Sequence, residues 1–281
     1  MTTTAATPSA AADPLLRARY GRSDAAPLAA LNPVLDNLLG HRSVRAFLPD
    51  ALPAHALETL VAAAQSAPSS SNLQTWSVVA VESPEARARL VELTGNQKHI
   101  AQAPLFLAWL ADLSRIQRIA ERAGREVAGT AYLEAFLLGA IDAALAAQNV
   151  VAAAPSLGLG TVFAGALRNR PEEVIELLGT PRGAFPVFGL VVGVPDPARP
   201  ADVKPRLPQS AVLHRERYRV PATNAEEVGD YDAVLRAFQA EQGLPQQDWT
   251  TLVVNRLQDA KALHGRDRLA EALRHAGFPL K

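Results

Sequence analysis

The chain has no cysteine. That excludes disulfides, thiolate-bound metals, iron–sulfur clusters and a thiol nucleophile, and it points to a reducing compartment. Net charge is absent too: 28 Lys and Arg balance 28 Asp and Glu over 281 residues. Without a basic excess, bulk electrostatic binding of nucleic acid is not expected. The opening "MTTTAATPSAAADPLLRARYGRSDAAP" has no basic start followed by an apolar run, so it does not read as a secretory signal. The longest apolar stretch, 139–157, is interrupted by Asp142, Gln148, Asn149 and Pro155. A membrane span needs about 20 predominantly apolar residues. The reading is a soluble, cytoplasmic protein with no membrane and no nucleic-acid partner. Six histidines occur, but no H-x-x-x-H or H-x-H pair, so no metal site is read. G-x-G-x-x-G, the P-loop, a Ser–His–Asp order, paired carboxylates and internal repeats are all missing.

What is present is an interleaving of helical and strand patterns. Apolar spacing predicts helices over 32–39, 53–65, 84–93, 127–154, 171–178, 225–242 and 249–275. "TWSVVAVE", "PLFLAWLAD" and "PVFGLVVGVP" predict buried strands over 75–82, 104–112 and 186–195, and "GLGTVFAGAL" a glycine-rich strand or loop over 158–167. That gives a mixed three-layer α/β or α+β architecture. The second half of the 127–154 helix is apolar nearly all round and needs cover on every side; a second subunit is the expected cover. The domain reading is a flexible extension over 1–27, a main domain over 28–221, and a helical extension over 222–281 packed on it.

Five polar stretches carry the candidate chemistry. "HRSVRAF" (41–47) follows a helix end; on an extended chain Ser43 and Arg45 share a face, with His41 beside them. A guanidinium fork, a hydroxyl and an imidazole suit a phosphate, although alone the segment reads first as a solvated cluster paired with acids such as Asp50. "PSSSNLQTW" (68–76) offers hydroxyls and amides before a strand, where a flat heterocycle would find donors and acceptors. "TGNQKHIAQAP" (94–104) sets Gln97, Lys98 and His99 between a helix and a strand. "FAGALRN" (163–169) has small residues that let backbone approach a planar ligand, followed by Arg168. "DVKPRLP" (202–208) puts Lys204 and Arg206 two apart around a proline, where both could face one anion.

These stretches, with "AAQNVVAAAPSLGLGTVFAGALRN" and "FPVFGLVVGVP", resemble the FMN-dependent nitroreductase family in order and spacing from about 38 to 218. "TGNQKH" and "KPRLP" resemble its NADPH-type, oxygen-insensitive nitroreductase and flavin reductase subgroup. The resemblance implies an α+β nitroreductase fold: a mixed central sheet flanked by helices, in an interlocked homodimer with FMN at the subunit interface. It assigns His41, Arg42, Ser43, Lys204 and Arg206 to the flavin phosphate and Arg45 to the N1/O2 edge of the ring. Ser69, Ser70 and Ser71, with Asn72 and Gln74 adjoining, match a loop given by the other subunit. Gln97 matches a hydrogen bond to the pyrimidine edge, and Phe163, Ala164, Gly165 and Ala166 the stretch along the ring.

No protein residue is assigned a catalytic role; FMN carries the redox chemistry. The implied activity is NAD(P)H oxidation coupled to reduction of nitroaromatics or quinones, small planar acceptors, by ping-pong two-electron hydride transfer. Arg168, Gln242 and Arg266 match the acceptor and NAD(P)H pocket. Gln242 stands where the subgroup places an Arg for the NADPH 2′-phosphate, leaving NADPH and NADH both open, and Asn72 stands where close relatives carry a bulky residue. The alternatives are a flavin reductase supplying free reduced FMN and a non-enzymatic FMN-binding protein.

Overall fold

The computed structural model describes residues 12–21 and 31–281. Residues 1–11 and 22–30, including the expected start of the main domain at 28, lie outside the described residues. In chain order the elements are α1 (Ala12–Tyr20), α2 (Pro33–Leu39), α3 (Ala56–Gln65), β1 (Trp76–Val81), α4 (Pro84–Leu93), α5 (His99–Gln102), β2 (Leu105–Asp112) and α6 (Ser114–Arg122). Then come α7 (Leu133–Ala153), β3 (Gly160–Ala164), α8 (Pro171–Leu178), β4 (Ala184–Gly193), α9 (Asn224–Val228), α10 (Tyr231–Glu241), α11 (Trp249–Leu257) and α12 (Leu269–His275). They fall into two compact units, one of residues 1–42 with 202–262, the other of 43–201 with 263–281.

The second unit holds the sheet, in order β1-β2-β4-β3. β2 is buried along its whole length, as its unbroken apolar run requires of a central strand. Its side chains alternate. Leu105, Leu107 and Trp109 pack with Leu60 of α3 and Ala143, Ala147 and Val150 of α7. Phe106 and Ala108 pack with Leu90 and Leu93 of α4 and Val174 of α8. Helices therefore cover both faces, giving an α+β unit in three layers. A third cluster joins Leu273 and Phe278, around α12, to Phe185 of β4, with Phe136 edge-on to both phenyl rings.

The expected mixed sheet resolves differently. All three strand pairings are antiparallel, and parallel pairing among the described residues is confined to the isolated bridge Ser43–Thr161. Helix ends also move for local reasons. Helix α3 starts at Ala56 rather than 53, because Ala56 N–H is already turned onto Pro53 O and His55 sits in left-handed backbone (φ 61°). The 225–242 helix breaks at Gly229, whose φ of 60° and ψ of −130° only glycine adopts readily. The 249–275 helix ends at Leu257 and resumes at Leu269. Helix α6 was not foreseen; it starts where Asp112 Oδ1 accepts Ser114 N–H at 2.9 Å.

Helix α7 begins at Leu133, not 127, since Tyr132 is extended (φ −91°, ψ 154°). By length and composition 133–157 would suffice to cross a membrane. Here its small residues press onto the sheet and α3: a side chain at Gly139 would come within 2.9 Å of Ala111 Cβ. Leu133, Leu137, Ile141 and Leu145, four apart and so along one side, remain exposed.

Gly189 is tighter still, because a Cβ there would run into the ring of Phe106, which is wholly buried. Gly189→Ala should therefore destabilise by about 1–3 kcal/mol through overpacking. Urea unfolding at equilibrium measures this; an unchanged midpoint would contradict it.

Candidate functional site

The polar stretches divide between the two units, and the boundary falls inside "HRSVRAF", between Arg42 and Ser43. In the first unit, His41, Lys204 and Arg206 are brought together by a residue that the sequence reading missed, and the exposed Arg42 follows His41 in the chain. Arg19 of α1 donates from Nη1 to Lys204 O at 2.8 Å, and from Nη2 to Leu39 O at 2.7 Å and His41 O at 3.0 Å. Its own carbonyl accepts Arg206 N–H at 2.8 Å. Tyr231 O–H donates to Pro205 O at 2.8 Å, bracing the same turn.

This arrangement concentrates positive charge. Burial pushes the His41 imidazole below its usual pKa, and the Arg19 and Arg206 cations push it further. Arg19 is itself lowered, first by burial and then by Arg206. No ion pair from Arg19, Arg42 or Arg206 to a carboxylate occurs among the described residues. Cations gathered without carboxylates suit a multiply charged oxyanion. A cavity of about 590 Å³ opens beside Lys204 and Arg206, walled by Tyr20, Tyr231, Phe238 and Trp249. Gln242, at the end of α10, donates to Asp202 Oδ2 at 2.5 Å.

In the second unit, Val44 N–H bonds Thr161 O at 3.0 Å, and Ser43 pairs with Thr161. This lays Ser43 and Val44 on the free edge of β3, and the chain then turns so that Phe47 pairs with Pro195 beyond β4. Gly160 makes room, since a Cβ there would meet Val44 Cγ2 at 2.6 Å. Arg45 is exposed and makes no ion pair with Asp50, the partner that the solvated-cluster reading required. Its charge reaches His99: burial first, then Arg45, lowers that imidazole, whose Nε2 is buried without a hydrogen-bond partner among the described residues. The "TGNQKH" turn and Arg45 are thus neighbours. Gln97 Nε2 donates to Thr94 O at 3.1 Å.

On β3, Phe163 is exposed and stands edge-on to Phe188, 5.3 Å between centroids. Ala164 and Ala166 are buried, and Gly165 opens a tight turn to Arg168. Arg168 folds back, donating to Val187 O. Arg266 joins the same region, its Nε donating to Asn169 Oδ1 at 2.8 Å, while Gly265 (φ 87°) lets backbone pass close to Asn169 O.

The serine loop is shaped by a buried carboxylate on α7. Asp142 Oδ2 accepts Ser69 Oγ–H at 2.8 Å and Thr75 N–H and Oγ1–H, each at 2.9 Å. Ser69 Oγ accepts Gln74 N–H at 2.8 Å, and Arg115 donates to Gln74 O at 2.8 Å. These bonds hold Ser71, Asn72 and Gln74 in left-handed backbone, with φ of 49°, 53° and 51°. Such strain costs on the order of 1–3 kcal/mol per residue and persists only where surrounding bonds over-determine it. Ser70 and Ser71 face solvent, and no hydrogen bond among the described residues joins this loop to Arg45 or Gln97.

The pattern described as "Nitroreductase family" matches residues 38–194, and "Nitroreductase family, C-terminal domain" matches 204–281. The chain is 36% identical over 245 residues to "FMN reductase (NADPH)" of Bacillus subtilis strain 168, spanning 86% of this chain and 98% of that protein. It is 42% identical over 189 residues to the "Oxygen-insensitive NADPH nitroreductase" of Salmonella typhimurium strain LT2, 67% of this chain and 76% of that one. Among solved structures, NfrA2 of B. megaterium superposes with a TM-score of 0.82 at 37% identity, over 89% of this chain and all (100%) of that one.

The two lowered histidines set a pH dependence. A histidine in the unfolded chain titrates near about 6.5. Below that value the unfolded chain binds protons that His41 and His99 in the fold refuse, so folding stability falls as pH falls toward the folded values. The flavin-free protein should melt at lower temperature at pH about 5.5 than at about 7.5, and His41→Asn should flatten the drop. Thermal melts across pH check this; a wild-type profile with no fall would contradict it.

Proposed function

We infer the reaction from one settled premise: the chain belongs to the nitroreductase family. It is an oxidoreductase that uses FMN and NAD(P)H. Its substrates, we propose, are small planar acceptors, nitroaromatics and quinones, reduced by two electrons in a ping-pong cycle. The observation that carries this reading is the seat of His41, Arg42 and Arg206, positive and, among the described residues, without ion pairs to carboxylates. It fits a flavin mononucleotide phosphate.

When bound, FMN would supply the two-electron hydride chemistry between NAD(P)H and the acceptor. The chain's own residues bind and orient. Arg42, Lys204 and Arg206, with Ser43, would hold the phosphate, and His41 would add an imidazole that gains its proton more easily next to an anion. Arg45 would set positive charge at the ring edge, favouring a reduced, more negative ring. Gln97 would offer an amide to the pyrimidine edge. Phe163 through Ala166 would line the ring with small groups, and the exposed Phe163 face suits stacking of planar acceptors without selecting finely among them. Arg168 and Arg266 in the sheet-bearing unit would tune acceptor binding, and Gln242 in the other unit would tune NAD(P)H binding.

The oligomer proposed is a homodimer. The exposed apolar stripe Leu133–Leu137–Ile141–Leu145 on α7 is the surface that favours it, and the outward-facing Ser70 and Ser71 would then serve a partner's flavin. A flavin reductase remains the second reading, favoured by the relative named "FMN reductase (NADPH)".

Anaerobic spectra of the purified protein separate the cases. Bound flavin should bleach with NADPH or NADH and recover on adding a nitroaromatic or quinone. Free FMN acting as a saturable substrate with poor nitroaromatic turnover would favour the flavin reductase; flavin that neither donor bleaches would remove the enzyme. For the ring edge, Arg45→Ala should lower the flavin midpoint potential by about 30 mV or more, since about 1.4 kcal/mol corresponds to about 30 mV for two electrons. A redox titration with no shift would count against that role.

A further inference from the structure

We propose that Arg19 is a positioning residue of the phosphate seat, so that α1 sets how firmly the flavin phosphate is held. Arg19 acts there only if His41, Arg42, Lys204 and Arg206 are the phosphate set, the reading proposed above. Helix α1 lies wholly ahead of residue 38, where the family match begins, so nothing in that match assigns Arg19 a part.

The geometry is specific. Arg19 is 7% exposed, on an otherwise solvent-rich helix whose neighbours Arg17 and Ala18 are exposed. Leu16, one turn back on the same side, is buried with it. The guanidinium reaches three carbonyls, Leu39 O and His41 O on one segment and Lys204 O on the other, while its own carbonyl takes Arg206 N–H. One residue therefore ties together the two backbone runs that present the seat's cations. Only a planar fork with several donors can do this; an ammonium is a single point of charge and cannot span both segments in fixed directions.

Among the described residues its acceptors are backbone carbonyls, not carboxylates, so its positive charge stays in the seat. That charge stands next to Arg206, and the two lower one another's neighbour His41. Bringing such cations together costs free energy until an oxyanion arrives, and Arg19 supplies both the tie that holds them and part of the charge that the oxyanion relieves. Because its donors point at carbonyls, Arg19 acts through the residues it places. Its influence should fall on the phosphate end of the ligand and leave the ring end alone.

FMN and riboflavin differ only in that phosphate. Full-length wild type, Arg19→Ala and Arg19→Lys, stripped of flavin, are titrated with each ligand by flavin fluorescence quenching, alongside thermal melts. Arg19→Ala should raise the Kd for FMN about tenfold or more and that for riboflavin less than about twofold. Arg19→Lys should fall between, because charge returns without the fork. Should the alanine variant not fold, the lysine variant carries the same comparison. Equal losses for FMN and riboflavin, or none for either, would overturn the role of Arg19 while leaving the flavin reading intact. A wild type that binds FMN no better than riboflavin would instead remove the phosphate seat itself.

Discussion

Complete burial of β2 is the constraint on which the sheet-bearing unit depends. A strand covered on both faces has one register that keeps Leu107 and Trp109 against α7 and Phe106 against α4. With that register fixed, β4 and then β3 follow, and the free edge of β3 receives Ser43 and Val44. The contact of α7 with β2 likewise brings Asp142 beside Thr75, just before β1. Polar groups at the sheet's rim are thus placed by apolar packing several residues away.

The cationic seat in the other unit is built on a different principle. Its charges are held by backbone, through carbonyls that accept from a buried guanidinium and a buried phenol. Carboxylate partners would have neutralised the seat and competed with any anionic ligand. Carbonyl partners fix position and leave the charge available. The lowered pKa of His41 is the electrostatic trace of that choice.

The sequence was most legible where local pattern and tertiary packing agree. The four strand patterns, α4 and α8 stand where periodicity and capping residues put them: Ser83 caps α4 through Ala86 N–H, and Pro171 opens α8. Strand direction was not legible, because nothing in "PLFLAWLAD" tells a parallel from an antiparallel neighbour. Nor were the breaks at His55, Tyr132 and Gly229, which come from single backbone conformations inside apolar periodicity. Among site residues, the charged and amide stretches were visible by composition, and the approach of Arg45 to His99 was not. Arg19 stayed hidden because its role lies in which carbonyls it reaches across more than 180 positions of chain. An Arg three residues after Leu16, on the same side of a short helix as that apolar residue, was the signal the sequence offered.

The left-handed run at Ser71, Asn72 and Gln74 shapes what substitution can do in that loop. Side-chain size is a secondary filter there; the first filter is whether a residue tolerates positive φ. Asparagine does so more readily than most, and β-branched residues do so poorly. Drift at position 72 is thereby channelled toward Asn, Asp and Gly, and bulky aliphatic replacements would need a compensating change in the loop's path. A change of residue here therefore couples side chain to backbone path, with the bonds of Asp142 to Ser69 and Thr75 anchoring both ends of the loop.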